Sequence, residues 1–300
     1  MAVEFKIPAT VIPSLAVKED INVIATLTAN SIAIDSVGAT LSLTTLLPTA
    51  TIAFQADGQN FTHGLNVTAW TNNGTGGTTY DASTGGVAAN EPVYDGIAAD
   101  NPFKAPLGAL YFADSSLSAW DYLNLANKFS TTGAFVMYAV FGYETGFSQI
   151  FSPTLISTKS TKSIGHSVNV LSKVTRTSTT VSIRDENYTA GYSSLQKWMI
   201  ATTEAEPTAA ATPYVLVIRR DASGNMFCYD ASSRSIVSSE QIHEVGFKLS
   251  FDAIGMAQPS LPGAAEGKGA YIAALGVFNS DIGSQKSQGL ARLLGKKYIG

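Results

Sequence analysis

The sequence predicts an all-β protein: a two-sheet antiparallel sandwich with a C-terminal amphipathic helix, preceded by an N-terminal β arm. Three observations carry that prediction. Most of the chain is short apolar runs broken by Ser, Thr, Gly and Asn, the pattern of short strands joined by turns. The stretch "PYVLVIRRDASGNMFCYDAS" has the shape of a hairpin. The closing stretch, "VFNSDIGSQKSQGLARLLGKKYIG", departs from this pattern and has helical spacing with a basic end.

Composition narrows the class. The chain has 300 residues, a formal net charge of -4 and only 14% charged residues, against roughly 25% in an average globular domain. At 45% hydrophobic, it can bury a sizeable core. The mild acidity argues against nucleic acid as a partner, because phosphate binding needs clustered Lys and Arg. Cys228 is the only cysteine, which excludes an intrachain disulfide and a cysteine-based zinc site. No run of about 18 apolar residues occurs, so no membrane-spanning helix is expected. The opening "MAVEFKIPATVIPSL" does not read as a signal peptide: Glu4 and Lys6 come early, and Pro8 and Pro13 interrupt any apolar segment.

Residues 1–47 form their own zone. "INVIATLTANSIAIDSVGATLSLTTLL" is rich in β-branched residues with local alternation, as at Ile32 and Ile34 or Leu41 and Leu43. It predicts two or three strands with a turn near Asp35 to Gly38. Such an arm must pack on the main domain or on another subunit. Residues 71–106, rich in Gly, Asn, Thr and Ala, predict long surface loops. "GAFVMYAVFGY" (133–143) is nearly all apolar and predicts a strand buried on both faces. "HSVNVLSKV" and "TTVSIRD" alternate, predicting strands with one face in solvent.

In the hairpin, strand 214–220 leads through Asp221, Ser223, Gly224 and Asn225 to strand 226–230. These turn residues tolerate left-handed backbone angles. "GAYIAALGVFN" (269–279) predicts a last buried strand. A helix over 282–297 follows, capped by Asn279, Ser280 or Asp281, with an apolar stripe of Leu290, Leu293, Leu294 and Tyr298. Arg292, Lys296 and Lys297 lie toward its C-terminal end, where the helix dipole favours cations.

"YIAALGVFNSDIGSQKSQGLARLLGKKYIG" resembles the closing strand and helix of concanavalin A-like, laminin-G-like jelly-roll domains, with Lys297, Tyr298 and Gly300 at the terminal Lys-Tyr-Gly position and Ile299 intervening. "TIAFQADGQNFTHGLNVTAWTNNGTGG" is similar to the opening of such domains. There Trp70, Asn72, Asn73 and Gly74 loosely match a Trp-x-Asn/Asp-x-x-Gly stretch. "NEPVYD" and "LGALYFADSSLSAWDYLNL" resemble a further element through Pro92, Tyr94, Phe112 and Tyr122, although the usual Asp-Gly is Ala113-Asp114 here. "YVLVIRRDASGNMFCYD" resembles the central hairpin. The resemblance spans about residues 48–300, so the expected organisation is an arm, 1–47, and a sandwich, 48–300.

The resemblance implies a fold used by phage structural proteins, by carbohydrate-binding modules and by some glycosidases. Glycosidases on this fold place paired carboxylates across a sugar. No Glu-x-Asp-x-Glu occurs, and strand alternation would send Asp185 and Glu186 to opposite faces, so no catalytic residue is assigned. His63, His166 and His243 are the only histidines and read as ordinary surface or hydrogen-bonded groups. Cys228 reads as a small buried hydrophobe. No cofactor is expected. Loop calcium is a possibility at Asp95, Asp100 and Asn101, or in "RDASGN", which lacks the spacing of a helix-loop-helix site. The sequons at Asn60, Asn66, Asn73 and Asn187 would matter only on a eukaryotic secretory route.

A sugar stacks its C–H face on an aromatic ring. Trp70 with Asn72 and Asn73 is the candidate glycan site, its alternative being core packing. Trp120, Asp121 and Tyr122, and Trp198, are further candidates, with core packing the preferred reading for Trp120 and Tyr122. The expected function is that of a bacteriophage virion structural protein on the particle exterior, as a capsid decoration or fibre-like protein. Its partners are other virion proteins and sister subunits, reached through the arm, and host-surface glycans. A carbohydrate-binding module of a bacterial surface or secreted protein is the alternative.

Overall fold

The computed structural model describes residues 41–84, 91–96, 101–104, 106–112, 114–116, 119–143, 154–157, 168–172, 178–184, 195–201, 213–230, 237–238, 242–243, 247–255 and 270–300. The chain divides into a unit Met1–Thr40 and a unit Leu41–Gly300. The first unit lies outside the described residues, as do Asp100, His166, Asp185, Glu186 and Asn187.

The described body is a two-sheet antiparallel sandwich with a C-terminal helix, as the sequence predicts. A nine-stranded sheet is built around Phe135–Tyr143, Pro213–Arg220 and Ala270–Phe278, its most apolar runs. Strand Pro213–Arg220 pairs Phe135–Tyr143 on one side and Asn225–Asp230 on the other. The far side of Ala270–Phe278 is shared by Ala109–Phe112 and Ile52–Gln55. Strand Val93–Asp95 lies at the end of this sheet's order. An eight-stranded sheet is built around Leu249–Gly255 and Tyr122–Thr131 and includes Val168–Ser172 and Ser178–Arg184. Every pairing among the described strands is antiparallel.

Strand alternation divides the core into two layers. Phe135, Met137, Ala139 and Phe141 point between the sheets, where they meet Phe129, Leu249 and Phe251. The intervening Val136, Tyr138 and Val140 point the other way, onto Leu290, Ala291, Leu294 and Tyr298 of the helix. The helix therefore covers the outer face of the larger sheet. That is why strand Phe135–Tyr143 carries no polar face: both of its sides are interior.

The hairpin forms where its turn residues place it. Asp221 Oδ1 accepts from the backbone N–H groups of Ser223 and Asn225, both at 2.9 Å, and Gly224 adopts φ 87°. That angle is easy for Gly and costly for a residue with a Cβ. The helix runs Ser284–Tyr298, close to its predicted span. Its start differs from the prediction, since Gly283 stands at the N-cap position, with φ 87°, and no side chain caps the helix. Asp281 is engaged instead by Arg219, through Nε at 2.7 Å and Nη2 at 2.6 Å, and accepts the Gly283 N–H at 2.8 Å. Leu293 is only half-buried, whereas Leu290, Leu294 and Tyr298 are wholly buried.

Two further expectations differ. Leu41 and Leu43 alternate like a strand, yet Leu43–Leu46 is a helical turn capped by Ser42 Oγ, which accepts from Thr45 N–H at 3.2 Å. A local cap outweighs a two-residue alternation. Residues 71–106 are not simply surface loops. They hold strands Ala82–Ser83 and Val93–Asp95, and buried Asn72, Thr84, Asp95, Asn101 and Phe103. The Gly-rich segment is tied to the chain just before strand Ile52–Gln55: Thr75 N–H donates to Ala50 O at 2.7 Å and Gly76 N–H to Thr51 O at 3.0 Å. No helix among the described residues is long and apolar enough to cross a membrane.

Candidate functional site

Trp70 ends the short strand Ala69–Trp70 and is fully buried. Its ring lies 5.1 Å from that of Phe54, and its Nε1 donates to Gln55 O at 3.3 Å. With neither face in solvent, the indole offers no platform for a sugar, so of its two sequence readings the structure realises core packing. Asn72 is buried as well, and all its side-chain capacity is used. Its Oδ1 accepts from Ala53 N–H at 2.8 Å and Gly74 N–H at 3.0 Å, and its Nδ2 donates to Thr51 O at 3.2 Å and Gly77 O at 3.0 Å. Asn72 pins a strand to a loop. Asn73 is exposed. The trio does not come together as a binding surface.

A second aromatic pair, partly buried against the inter-sheet core, lies at the Val93–Asp95 edge. Loop 59–67 runs beside this strand and satisfies its outer backbone groups. Gly64 N–H donates to Tyr94 O at 2.9 Å, Tyr94 N–H to Leu65 O at 3.0 Å, and Val67 N–H to Pro92 O at 2.7 Å. The loop thus closes an edge that would otherwise present unpaired donors and acceptors. It also brings Phe61 against Tyr94, ring centroids 5.4 Å apart, both rings partly buried. Tyr94 lies flat because Gly96 and Gly108 beneath it have no side chains; a Cβ at either would strike the ring. Leu65, 59% exposed, is at the tip of this loop.

Polar groups border the aromatic pair. His63 Nδ1 accepts from Gly96 N–H at 3.3 Å and also faces Asp95 Oδ1 at 3.5 Å. These contacts belong to different protonation states: the first needs a bare Nδ1, the second a proton there. Asn66 Nδ2 donates to Glu91 Oε2 at 3.1 Å. Asp57 is held by the C-terminal helix, with Lys297 Nζ 2.7 Å from Oδ2 and Tyr298 Oη donating to Oδ1 at 2.9 Å. Burial pushes the Tyr94 phenol up, and the negative charges of Asp57 and Asp95 add to this, so it stays neutral at physiological pH.

The calcium candidates are occupied differently. Asn101 Nδ2 donates to Asp95 O at 3.0 Å and Leu107 O at 2.9 Å, and its Oδ1 accepts from Phe103 N–H at 2.9 Å. The side chain organises its own loop. In "RDASGN", the carboxylate of Asp221 is used by the turn. Among the described residues no cluster of His, Cys, Asp or Glu is placed to hold a metal ion. Cys228 is a buried thiol in the inter-sheet core. Asp121 is buried and Tyr122 half-buried.

The contact between Phe61 and Tyr94 is not visible in the sequence. Phe61 stands just before a Gly-Leu-Asn turn, whereas Tyr94 lies far along the chain in the "NEPVYD" element.

No protein-family model and no curated protein matches the chain. Solved structures do. Botulinum neurotoxin type C, which depends on interaction with two ganglioside molecules to enter cells, aligns with a TM-score of 0.50 at 14% identity, over 84% of this chain and 53% of that one. The binding domain of serotype G aligns with a TM-score of 0.48 at 12% identity, over 82% and 51%. The serotype D ligand-binding domain, in complex with N-acetylneuraminic acid, aligns with a TM-score of 0.46 at 10% identity, over 83% and 52%. The chain thus spans about half the length of these neighbours. At such identities the likeness is one of fold: the chain is a β-sandwich of the kind found in the type C neurotoxin structure.

Proposed function

We propose that this chain is a non-catalytic, glycan-binding module displayed on the exterior of a bacteriophage particle, as a capsid decoration or fibre-like protein. The observation that carries the glycan reading is the fold this chain shares with botulinum neurotoxin type C, whose cell entry depends on interaction with two ganglioside molecules. The lectin-like resemblance of residues 48–300 supports it from the sequence side. The virion reading rests on that resemblance together with low charge and a strand-prone arm. In this reading the predicted 1–47 arm contacts sister subunits or virion proteins by strand addition through its part before Leu41, since Leu46 and Leu47 are buried in the described body. The sandwich then faces host-surface glycans.

Immunogold electron microscopy of purified particles tests the location. Label on the head or tail supports it. Label absent from particles but present on a bacterial surface establishes the alternative, a carbohydrate-binding module of a surface or secreted protein. Binding of the purified chain to host-envelope polysaccharides, without release of reducing ends, tests the rest. A chain lacking residues 1–20 that folds yet stays off particles supports the attachment role; one that still joins particles, or cannot fold, removes it.

A further inference from the structure

Resting on the glycan-binding reading above, we infer that the binding site is the edge formed by loop 59–67 and strand Val93–Asp95, and that its ligand is a neutral sugar. Phe61 supplies the stacking surface. Phe61 packs against the inter-sheet core while keeping part of its surface accessible, and it is backed by Tyr94, whose position is set by the bare backbone at Gly96 and Gly108. An aromatic face held from behind binds a sugar's C–H face without first having to be ordered. The loop is pinned by backbone bonds at Gly64, Leu65 and Val67, so the surface exists before the ligand arrives.

Hydroxyl groups need donors and acceptors beside the ring, and the same loop provides them. His63 has its side chain 48% exposed. When Nδ1 accepts from Gly96, the ring proton is on Nε2, which makes no hydrogen bond among the described residues. Glu91 and Asn66 are joined to each other at the loop's other end. Charge selects the class. Glu91 and Asp95 border the loop, and the Lys297 ammonium is 2.7 Å from Asp57, to which it is committed. A sugar bearing a carboxylate or phosphate would be placed beside like charges, whereas a neutral hexose or N-acetylhexosamine brings none.

The test uses the full chain on an array of neutral oligosaccharides and their sialylated and phosphorylated counterparts, followed by titration calorimetry on the best binder. We expect a neutral glycan to bind. Phe61→Ala and, separately, the exposed-site variant His63→Ala should each weaken it, Phe61→Ala by about tenfold, the loss of one stacked ring. Glu91→Gln should raise the affinity for acidic counterparts several-fold. Unchanged affinity in Phe61→Ala and His63→Ala, with thermal midpoints like the parent's, overturns the site and leaves the glycan-binding reading standing. Preference for the acidic glycans overturns the ligand class. Absence of binding by the parent chain to any glycan overturns the broader reading and this one with it.

Discussion

Replacing Tyr138 with Phe should stabilise the protein, the reverse of the usual effect of changing a buried residue. Tyr138 is fully buried in the layer beneath the helix, and its hydroxyl has no hydrogen-bond partner among the described residues. The hydroxyl sits over Gly276, where any Cβ would collide with it and with Ile52 O. An orphaned buried polar group costs about 1–3 kcal/mol. Removing the oxygen forfeits a few van der Waals contacts at about 0.1–0.2 kcal/mol each. The desolvation term is larger, so a net gain of about 1–2 kcal/mol is expected, or about 2–4 °C in Tm per kcal/mol for a body of this size. Tyr298→Phe is the internal control. It sits in the same layer, but its hydroxyl donates to Asp57 at 2.9 Å, so losing it should destabilise by about 1–3 kcal/mol. Urea unfolding of both variants reads the two signs. If Tyr138→Phe lowered stability by 1 kcal/mol or more (about a fivefold shift in the folding equilibrium), the hydroxyl would have to be satisfied and the argument would fail.

Leu294→Ala should cost about 2–5 kcal/mol, since the side chain is wholly buried between helix and sheet; a loss below about 1 kcal/mol would mean the helix is not seated as described. Asn72→Ala should destabilise by about 2–5 kcal/mol, because it orphans the Ala53 and Gly74 N–H groups together, and amide exchange at Ala53 should accelerate. The hydrogen bonds from Arg219 hold Asp281 below the ordinary carboxylate value. Its contribution is therefore fully present above the unfolded-state pKa and is lost as pH falls through the lower folded value. Asp281→Asn should accordingly flatten the acid limb of the stability–pH curve and destabilise the protein at neutral pH; an unchanged limb in urea midpoints measured from neutral to acid pH would remove Asp281 from the account.

Local signals were legible in the sequence. The hairpin at Asp221 to Asn225 could be placed because its turn is made within five residues: the aspartate bonds its own successors, and Gly224 takes the positive φ. The C-terminal helix could be placed because its stripe has one period over its whole length. The doubly buried strand at 133–143 could be recognised because interior faces on both sides leave no polar positions. What tertiary structure alone decided was the fate of groups whose partners are distant in the chain. Trp70 beside a Gly-rich segment has the local signature of an exposed loop aromatic. It is buried because Asn72 reaches back to Thr51 and Ala53, and Phe54 meets the ring. Asp57 looks like a turn residue, yet it is held by Lys297 and Tyr298 from the other end of the chain. Phe61 and Tyr94 become neighbours only because loop 59–67 lies along an edge strand that the sequence does not identify as an edge. Periodicity records which side of a strand is apolar; which edge lies next to which loop depends on strand order, and strand order is set by packing across the whole sandwich.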